Sequence, residues 1–398
     1  MFALLLQANS IILATPVSIT SIASLSPLGD TAQQVWENYL QKSTKIQYTE
    51  IGGKSVPAAK LTDELNEKIA QLAESDLKYR NLDKSVLFAI LASRIASKDA
   101  GWKQGDVFGI NIGSSRGATE LFENHYKEFL ETGKAGVQAS PSTTLGNISS
   151  WVAHDLKSTG PDISHSITCS TALHALLNGV AWIRGGMSDK FMVGGSEAPL
   201  TPFTIAQMQA MKIYSTQKGE YPCHALDMEK EVNTMVLGEG AAIAYLEAGK
   251  KENALAYVEG IGYSTEILKH SVSISTDADC LQKSMLMAIE GIDKSEIDAV
   301  VMHAPGTIKG DLSELNAITK LFGDELPLIT TNKWKIGHTF GASGLLSLEL
   351  AVMMLNKQQF INVPFAKDVP FVQDKKLKKI LVNAVGFGGN AVSILVSR

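Results

Sequence analysis

The sequence is poor in cysteine. Of its 398 residues only Cys169, Cys223 and Cys280 are cysteines. Odd in number and widely spaced, they form neither a disulfide framework nor a metal-ligand pattern, and they suit a reducing compartment such as the cytoplasm. Basic charge is also scarce: 36 Lys+Arg against 41 Asp+Glu leaves a formal net charge of −5. No overall positive field favours nucleic acid or a membrane surface, so an acidic partner would have to meet a local patch. Long apolar runs are missing too, and none reaches the roughly 18 residues that a membrane span needs. The start, MFALLLQANSIILA, has no basic n-region, and Gln7, Asn9 and Ser10 interrupt it. Residues 1–16 therefore read as an N-terminal extension or the lead-in to a first strand, not as a signal peptide.

What is present is ordinary globular composition, 45% hydrophobic and 19% charged, in a chain long enough for two core-forming units. Buried-strand signals recur at residues 107–112, 163–168, 191–193, 241–246, 299–302 and 380–385. Helical patterns lie between them. After Cys169, Leu173, Leu176, Leu177, Val180 and Ile183 follow the 3.6 period until Gly185 and Gly186 stop it. After Gly310, Asp311 is a candidate N-cap with Glu314 three residues on, the spacing of a capping box. Residues 345–355 are apolar nearly all round and predict a helix buried on every side. Strands alternating with helices make this an α/β layered fold. The polar turn at 247–253 is the nearest approach to a boundary, which divides the chain into residues 17–250 and 251–398. The two parts echo each other: each carries a reactive residue type, then small residues, then a long apolar helix, an arrangement compatible with internal duplication.

Cys169, in SITCSTALHAL, stands where a β-prone run meets a helix. A thiolate there gains from the helix dipole and from unpaired N–H groups. Free cysteine is also a common core residue, so on this segment alone both readings stay open. Two of the eight histidines are placed like reactive groups at strand ends beside glycines, His303 in HAPGTIKGD and His338 in KWKIGHTFGASG. His125, His154, His165, His174, His224 and His270 are read as structural, His174 because it lies five residues into the helix and points away from its start. Finally, NAVGFGGN (383–390) is a strand entering a glycine turn, either a plain hairpin or a turn whose Phe387 N–H faces a pocket while the ring acts as a lid.

Together these segments resemble the β-ketoacyl-ACP synthases, elongating condensing enzymes of the thiolase superfamily. The carriers are VSITSIASLSPLGD, ITCSTALHAL, VGGSEAPLTP, VLGEGAAIAYLE, His303 with GDLSE, TNKWKIGHTFGASG and NAVGFGGN, in the family's order. The resemblance implies a thiolase-like αβαβα fold of two similar halves and a decarboxylative Claisen condensation, in fatty-acid or specialised polyketide or polyene biosynthesis. It implies that Cys169 carries the acyl chain. His303 and His338 assist decarboxylation of malonyl-ACP and stabilise the enolate, while Lys333 and Glu314 orient them. The backbone N–H groups of Cys169 and Phe387 form the oxyanion hole, Phe387 is the gate, and Thr307, Gly388 and Arg116 contact substrate. It implies no metal or cofactor beyond the phosphopantetheine of the acyl carrier protein. That carrier is the implied partner, and the chain is expected as a homodimer or as a heterodimer with a related ketosynthase or chain-length-factor subunit. Lys375, Lys376, Lys378 and Lys379 form a basic run that either meets the acidic carrier or is a solvated turn.

Three departures stand out. The family's His-Gly-Thr-x-Thr is His303-Ala-Pro-Gly-Thr307 here, so Pro305 replaces one pantetheine-contacting threonine. CHALD stands for the usual Arg-Pro-Phe-Asp. Arg116, in GSSRGAT, falls where many relatives line the acyl pocket with small or aliphatic residues, and points to an acyl chain other than a plain long saturated one, or to a pocket shared with a partner. Two rivals remain. A thiolase would need a second cysteine near GFGG, which has none. A non-catalytic chain-length partner would commonly lack the active cysteine, which is present. His338 argues against a chain-initiating synthase, which has Asn in place of one histidine.

Overall fold

A computed structural model describes residues 15–145, 147–267, 274–367, 369–370 and 375–398. The expectation for most of residues 1–16, and the one for His270, lie outside these. In chain order the strands are β1 (Val17–Leu25), β2 (Gln47–Ile51), β3 (Lys54–Ala59), β4 (Gly109–Gly113), β5 (Asp162–Ile163), β6 (Lys190–Glu197) and β7 (Leu237–Gly238). They continue with β8 (Gly240–Ala248), β9 (Ala256–Thr265), β10 (Ala299–Val301), β11 (Leu328–Thr330), β12 (Lys379–Gly386) and β13 (Asn390–Ser397). Ten of them form one sheet in the order β11-β10-β12-β13-β9-β1-β8-β6-β4-β5; β2, β3 and β7 form a small separate sheet.

The pairing signs expose the duplication. From one edge, β10 is parallel to β11 and β12, β12 is antiparallel to β13, and β13 is antiparallel to β9. From the other edge, β4 is parallel to β5 and β6, β6 is antiparallel to β8, and β8 is antiparallel to β1. The two five-strand halves meet where β1 pairs antiparallel with β9.

Between the halves lie helices Thr171–Arg184 and Ser343–Lys357, which touch each other and strands of both half-sheets. Helix Lys84–Ala100 covers β1, β6 and β8 on one outer side, and helix Asp279–Ala288 covers β9 and β13 on the other. The result is the five-layered αβαβα arrangement of a thiolase-like fold. Its centre explains the all-round apolar segment: every residue from Ser343 to Leu355 is buried, and each large aliphatic there contributes roughly 1.5–3 kcal/mol on leaving water. No helix among the described residues is long and apolar enough to cross a membrane.

Three local expectations need correction. The strand expected at 163–168 is only Asp162–Ile163, because Asn111 Nδ2 and Ser149 Oγ take the Ile163 carbonyl (3.0 and 2.6 Å) and the chain leaves the sheet edge. Asp311 is not an N-cap: helix Ile308–Phe322 is capped by Thr307, whose hydroxyl accepts from Gly310 N at 3.2 Å. Glu314 is therefore no capping-box partner. His338 does not end a strand either; it follows the short helix Lys333–Ile336 and Gly337, which turns the chain in the left-handed region at φ 67°.

Candidate active site

Cys169 sits at the turn into helix Thr171–Arg184, and Thr168 before it adopts φ 46°. A β-branched residue in the left-handed region is strained, and such strain persists only where the surroundings fix it. Here Thr168 Oγ1 donates to the Phe387 carbonyl at 3.3 Å, tying the nucleophile turn to the GFGG turn. Gly386 must be glycine at that junction, because a Cβ would come within 1.8 Å of Thr168 Oγ1. The same device recurs beside both histidines: Ala304, after His303, has φ 27°, and Phe340, two residues past His338, has φ 39°.

These three turns converge. One side-chain donor atom each of Cys169, His303 and His338 lies within 4.8 Å of the others, and all three residues are buried. The two imidazole rings are 5.0 Å apart and nearly perpendicular, at 85°. All three line a cavity of about 380 Å³ whose apolar wall includes Met208, Met211, Ile213, Met235, Phe340 and Phe387. Thr307 and Gly388 line it as well, and Pro305 faces it where the resemblance led us to expect a threonine. Phe387, which also lines the cavity, is more than a third exposed.

Glu314, Lys333 and Arg116 lie behind this wall. Glu314 accepts the backbone N–H groups of His303 and Ala304, both at 2.9 Å, and Asn383 Nδ2 at 3.2 Å. It thus fixes His303 through its backbone and not through its ring. Lys333 bonds to Asn332 and Ser347 rather than to a histidine. Arg116 donates a guanidinium N–H to Gln207, lies 5.9 Å from the Phe340 ring centre, and leaves its Nε buried without a partner. Its contact with the cavity therefore runs through Phe340. Asp311 holds the Pro305 loop, accepting from Gly306 N at 3.0 Å, Leu226 N at 3.1 Å and Lys230 Nζ at 2.8 Å. The CHALD segment thus still feeds the polar network that secures His303, with His224 bonded to Asp227 at 3.0 Å.

The site is nearly uncharged. Burial holds the His303 imidazole well below its ordinary value and His338 down to about 3; the Lys333 cation lowers both further. Burial brings Lys333 itself down to about 8. It pushes the Cys169 thiol up to about 12, with Glu197 adding to the rise and Lys333 opposing it. The activation expected from the helix start is therefore outweighed by burial in the resting site, and the thiol is neutral. What remains is a thiol facing two neutral imidazoles, suited to nucleophilic attack and to hydrogen-bonding a developing oxyanion. One thiol and two imidazoles at this spacing would also suit a soft divalent cation.

Glu197 was not singled out, although it lies within the quoted VGGSEAPLTP. Fully buried at the end of β6, it accepts from Ser114 Oγ (2.9 Å), Ser115 N (2.7 Å), Arg116 N (3.0 Å) and Gly341 N (2.9 Å). It joins the loop after β4 to the turn carrying His338. Asn332 and Ser347 were missed as well. Among the described residues, the histidines read as structural stay out of the cavity: His174 bonds Ser170 O and His165 bonds Thr171 O, each at 3.1 Å. In the basic run, Lys375 and Lys379 are ion-paired with Asp298 and Glu296.

Comparison with known proteins agrees with this geometry. Residues 14–252 match the description "Beta-ketoacyl synthase, N-terminal domain" and residues 255–364 match "Beta-ketoacyl synthase, C-terminal domain". The 3-oxoacyl-[acyl-carrier-protein] synthase 2 of Coxiella burnetii is 28% identical over 96% of this chain and 98% of its own. The Vibrio cholerae protein of the same name is 27% identical over 96% and 99%. Among solved structures, a β-ketoacyl synthase from Burkholderia phymatum superposes with a TM-score of 0.84 at 21% identity, covering 96% of this chain and 99% of that one. The ishigamide ketosynthase/chain length factor gives 0.83 at 18%, with the same coverage. At such identities the structural likeness speaks for the fold.

Proposed function

The chain belongs to the β-ketoacyl synthase family, and from that premise we propose that it is a 3-oxoacyl-[acyl-carrier-protein] synthase, an acyltransferase that condenses malonyl-ACP with an acyl group held on Cys169. The observation that carries this is the convergence of one buried thiol and two neutral imidazoles in a largely apolar cavity. In the first step Cys169 Sγ attacks the acyl thioester, with the backbone N–H groups of Cys169 and Phe387 donating hydrogen bonds to the oxyanion, and the thiol proton leaves on the carrier's pantetheine sulfur. In the second, the C–CO2 bond of the malonyl thioester breaks. Its electron pair forms an enolate whose oxygen takes hydrogen bonds from His303 and His338. The enolate carbon attacks the acyl-cysteine carbonyl, the C–S bond breaks, and one proton is taken up to restore the thiol. Loss of CO2 generates the carbanion equivalent, so the residues need supply no strong base and no metal.

Several features support the finer reading. Thr307, Phe387 and Gly388 line the cavity wall; in this reading the first and last contact the pantetheine arm and Phe387 opens to admit it. Helix Thr119–Thr132 exposes Phe122, Tyr126, Phe129 and Leu130, an apolar stripe that a monomer would leave wet. We assign it to contact with a second chain of the same fold, a copy or a related chain-length subunit. All three cysteines are free thiols, in keeping with the cytoplasm.

Intact-protein mass after incubation with acyl-ACP tests the function. An acyl adduct that disappears in Cys169→Ala and survives prior treatment with a chelator supports it. No adduct with any acyl-ACP on the folded protein, alone or mixed with a related chain-length subunit, would sink it. A panel of saturated, unsaturated and aryl acyl groups then reads the chain preference.

A further inference from the structure

Lys333 is fully buried, yet no carboxylate among the described residues pairs with its ammonium. Its Nζ donates to Asn332 Oδ1 at 2.9 Å and to Ser347 Oγ at 3.2 Å. Ser347 Oγ in turn donates to Asn332 Oδ1 at 3.3 Å, and Asn332 Nδ2 reaches Tyr39 OH at 3.4 Å. Asn332 and Ser347 are themselves about 99% buried, at 1% exposure each. Ser347 stands in the helix buried on all sides, between Leu346 and Leu348, where an apolar residue would otherwise be expected. The two side chains form a cradle of neutral oxygens.

We propose that Asn332 and Ser347 are positioning residues that hold Lys333 as a cation without a paired carboxylate, so that no acceptor in its cradle offsets its field at Cys169 and the two histidines. The proposal rests on the condensing-enzyme reading for its purpose, though not for its geometry. The physical argument turns on the kind of acceptor. A carboxylate in the cradle would also keep the ammonium charged, but it would cancel the field at neighbouring groups. Amide and hydroxyl oxygens stabilise the charge and leave its field intact. Among the charged or titratable groups around Lys333, Glu314, Cys223, Cys169 and Asp311 favour its cation, while His303 and His338, held neutral chiefly by burial, are kept further from protonation by its charge. A cationic Lys333 therefore does two things. It reinforces burial in keeping both imidazoles as neutral N–H donors, and it favours the thiolate of Cys169 at the step that displaces it from the acyl group.

The test is the pH dependence of Cys169 alkylation by iodoacetamide, followed by peptide mass so that Cys223 and Cys280 do not contribute. Ser347→Ala removes one acceptor, so Lys333 gives up its proton at lower pH. Alkylation near pH 7.5 should then slow by about tenfold and the profile shift to higher pH, the equivalent of about one pKa unit. Ser347→Thr, which keeps the hydroxyl, should restore the wild-type profile. Asn332→Asp supplies a stronger acceptor but a cancelling charge, and should also slow alkylation. A Ser347→Ala profile that overlays the wild type, or an Asn332→Asp protein that reacts as fast or faster, overturns the proposal. If Ser347→Ala fails to fold, Asn332→Asp decides alone. Shifted alkylation profiles with no acyl adduct from any acyl-ACP would defeat the condensing reading and leave this one standing. A normal acyl adduct with unshifted profiles would do the reverse.

Discussion

The loop after β4 and the loop after β10 hold equivalent places in the two halves, and each is clamped by one buried carboxylate. Glu197 takes the N–H groups of Ser115 and Arg116; Glu314 takes those of His303 and Ala304. Burial raises both carboxyls to about 7. The clamps come from different places, Glu197 from a strand end and Glu314 from a helix. What they present also differs: His303 faces the cavity directly, whereas Arg116 meets it only through Phe340. The same contrast separates Cys169 from His338. Each stands before one of the paired central helices, in the proposed reaction one as nucleophile and the other as hydrogen-bond donor. A duplicated scaffold thus keeps its backbone supports and divides the chemistry between its halves.

The sharpest way to break this division is to remove one side at a time. Cys169→Ala should abolish the acyl adduct and reduce condensation by about 10⁴-fold or more. His303→Asn or His338→Asn should leave the adduct intact and slow malonyl-ACP decarboxylation by about 10²–10⁴-fold. Measuring adduct and CO2 release in parallel separates the two halves; a histidine variant that loses only the adduct would contradict the assignment.

The clamps come next. Either Glu314→Ala or Glu197→Ala leaves buried N–H groups unpaired and should cost about 2–4 kcal/mol in urea unfolding. Below that transition, Glu314→Ala should impair decarboxylation more than acylation, because it frees the His303 backbone. Equal losses in both steps would erase the distinction.

A third comparison concerns Glu349, on the helix between the halves, which is buried with Oε2 unpartnered and raised by burial to about 7. A carboxyl whose folded pKa is raised stabilises fully below its unfolded value, near 4.5, and loses that contribution as pH rises through about 7. Glu349→Gln, which cannot ionise, should therefore gain on the wild type between pH 5 and pH 8. The gain should be at most about 3 kcal/mol, read from urea midpoints at the two pH values. A constant difference across that range would show that the Glu349 carboxyl titrates alike in the folded and the unfolded chain. The smallest effect is expected at the periphery: Arg116→Met should shift the preference among acyl-ACPs toward saturated chains by a few-fold, roughly 1 kcal/mol.

Much of this was legible before folding, for a physical reason. Cys169, His303 and His338 each stand beside small or glycine residues that the backbone needs in order to turn, so composition and reactivity mark the same places. The central helix was legible because Leu345, Leu346, Leu348 and Leu350 leave it no polar face. The supports were not. Glu197 sits fully buried at the end of a largely apolar strand, and nothing local says which loop it will reach. Asn332 and Ser347 acquire meaning only when residues fifteen apart meet around Lys333. Thr307, expected at substrate, caps its own helix, an interaction spanning three residues that the stronger-looking Asp311 obscured.

The final strand of the chain is an interior one. β13 lies between β12 and β9, and β12 lies between β13 and β10. Until residues 379–397 have been synthesised, β9 and β10 have no bridge between them and the second half-sheet has a gap at its middle. The hydrophobic faces on both sides of that gap stay open until both strands are made. A chain truncated before β12 would expose unpaired edges, so quality control at the ribosome, rather than catalysis, is where a C-terminal deletion would first be felt.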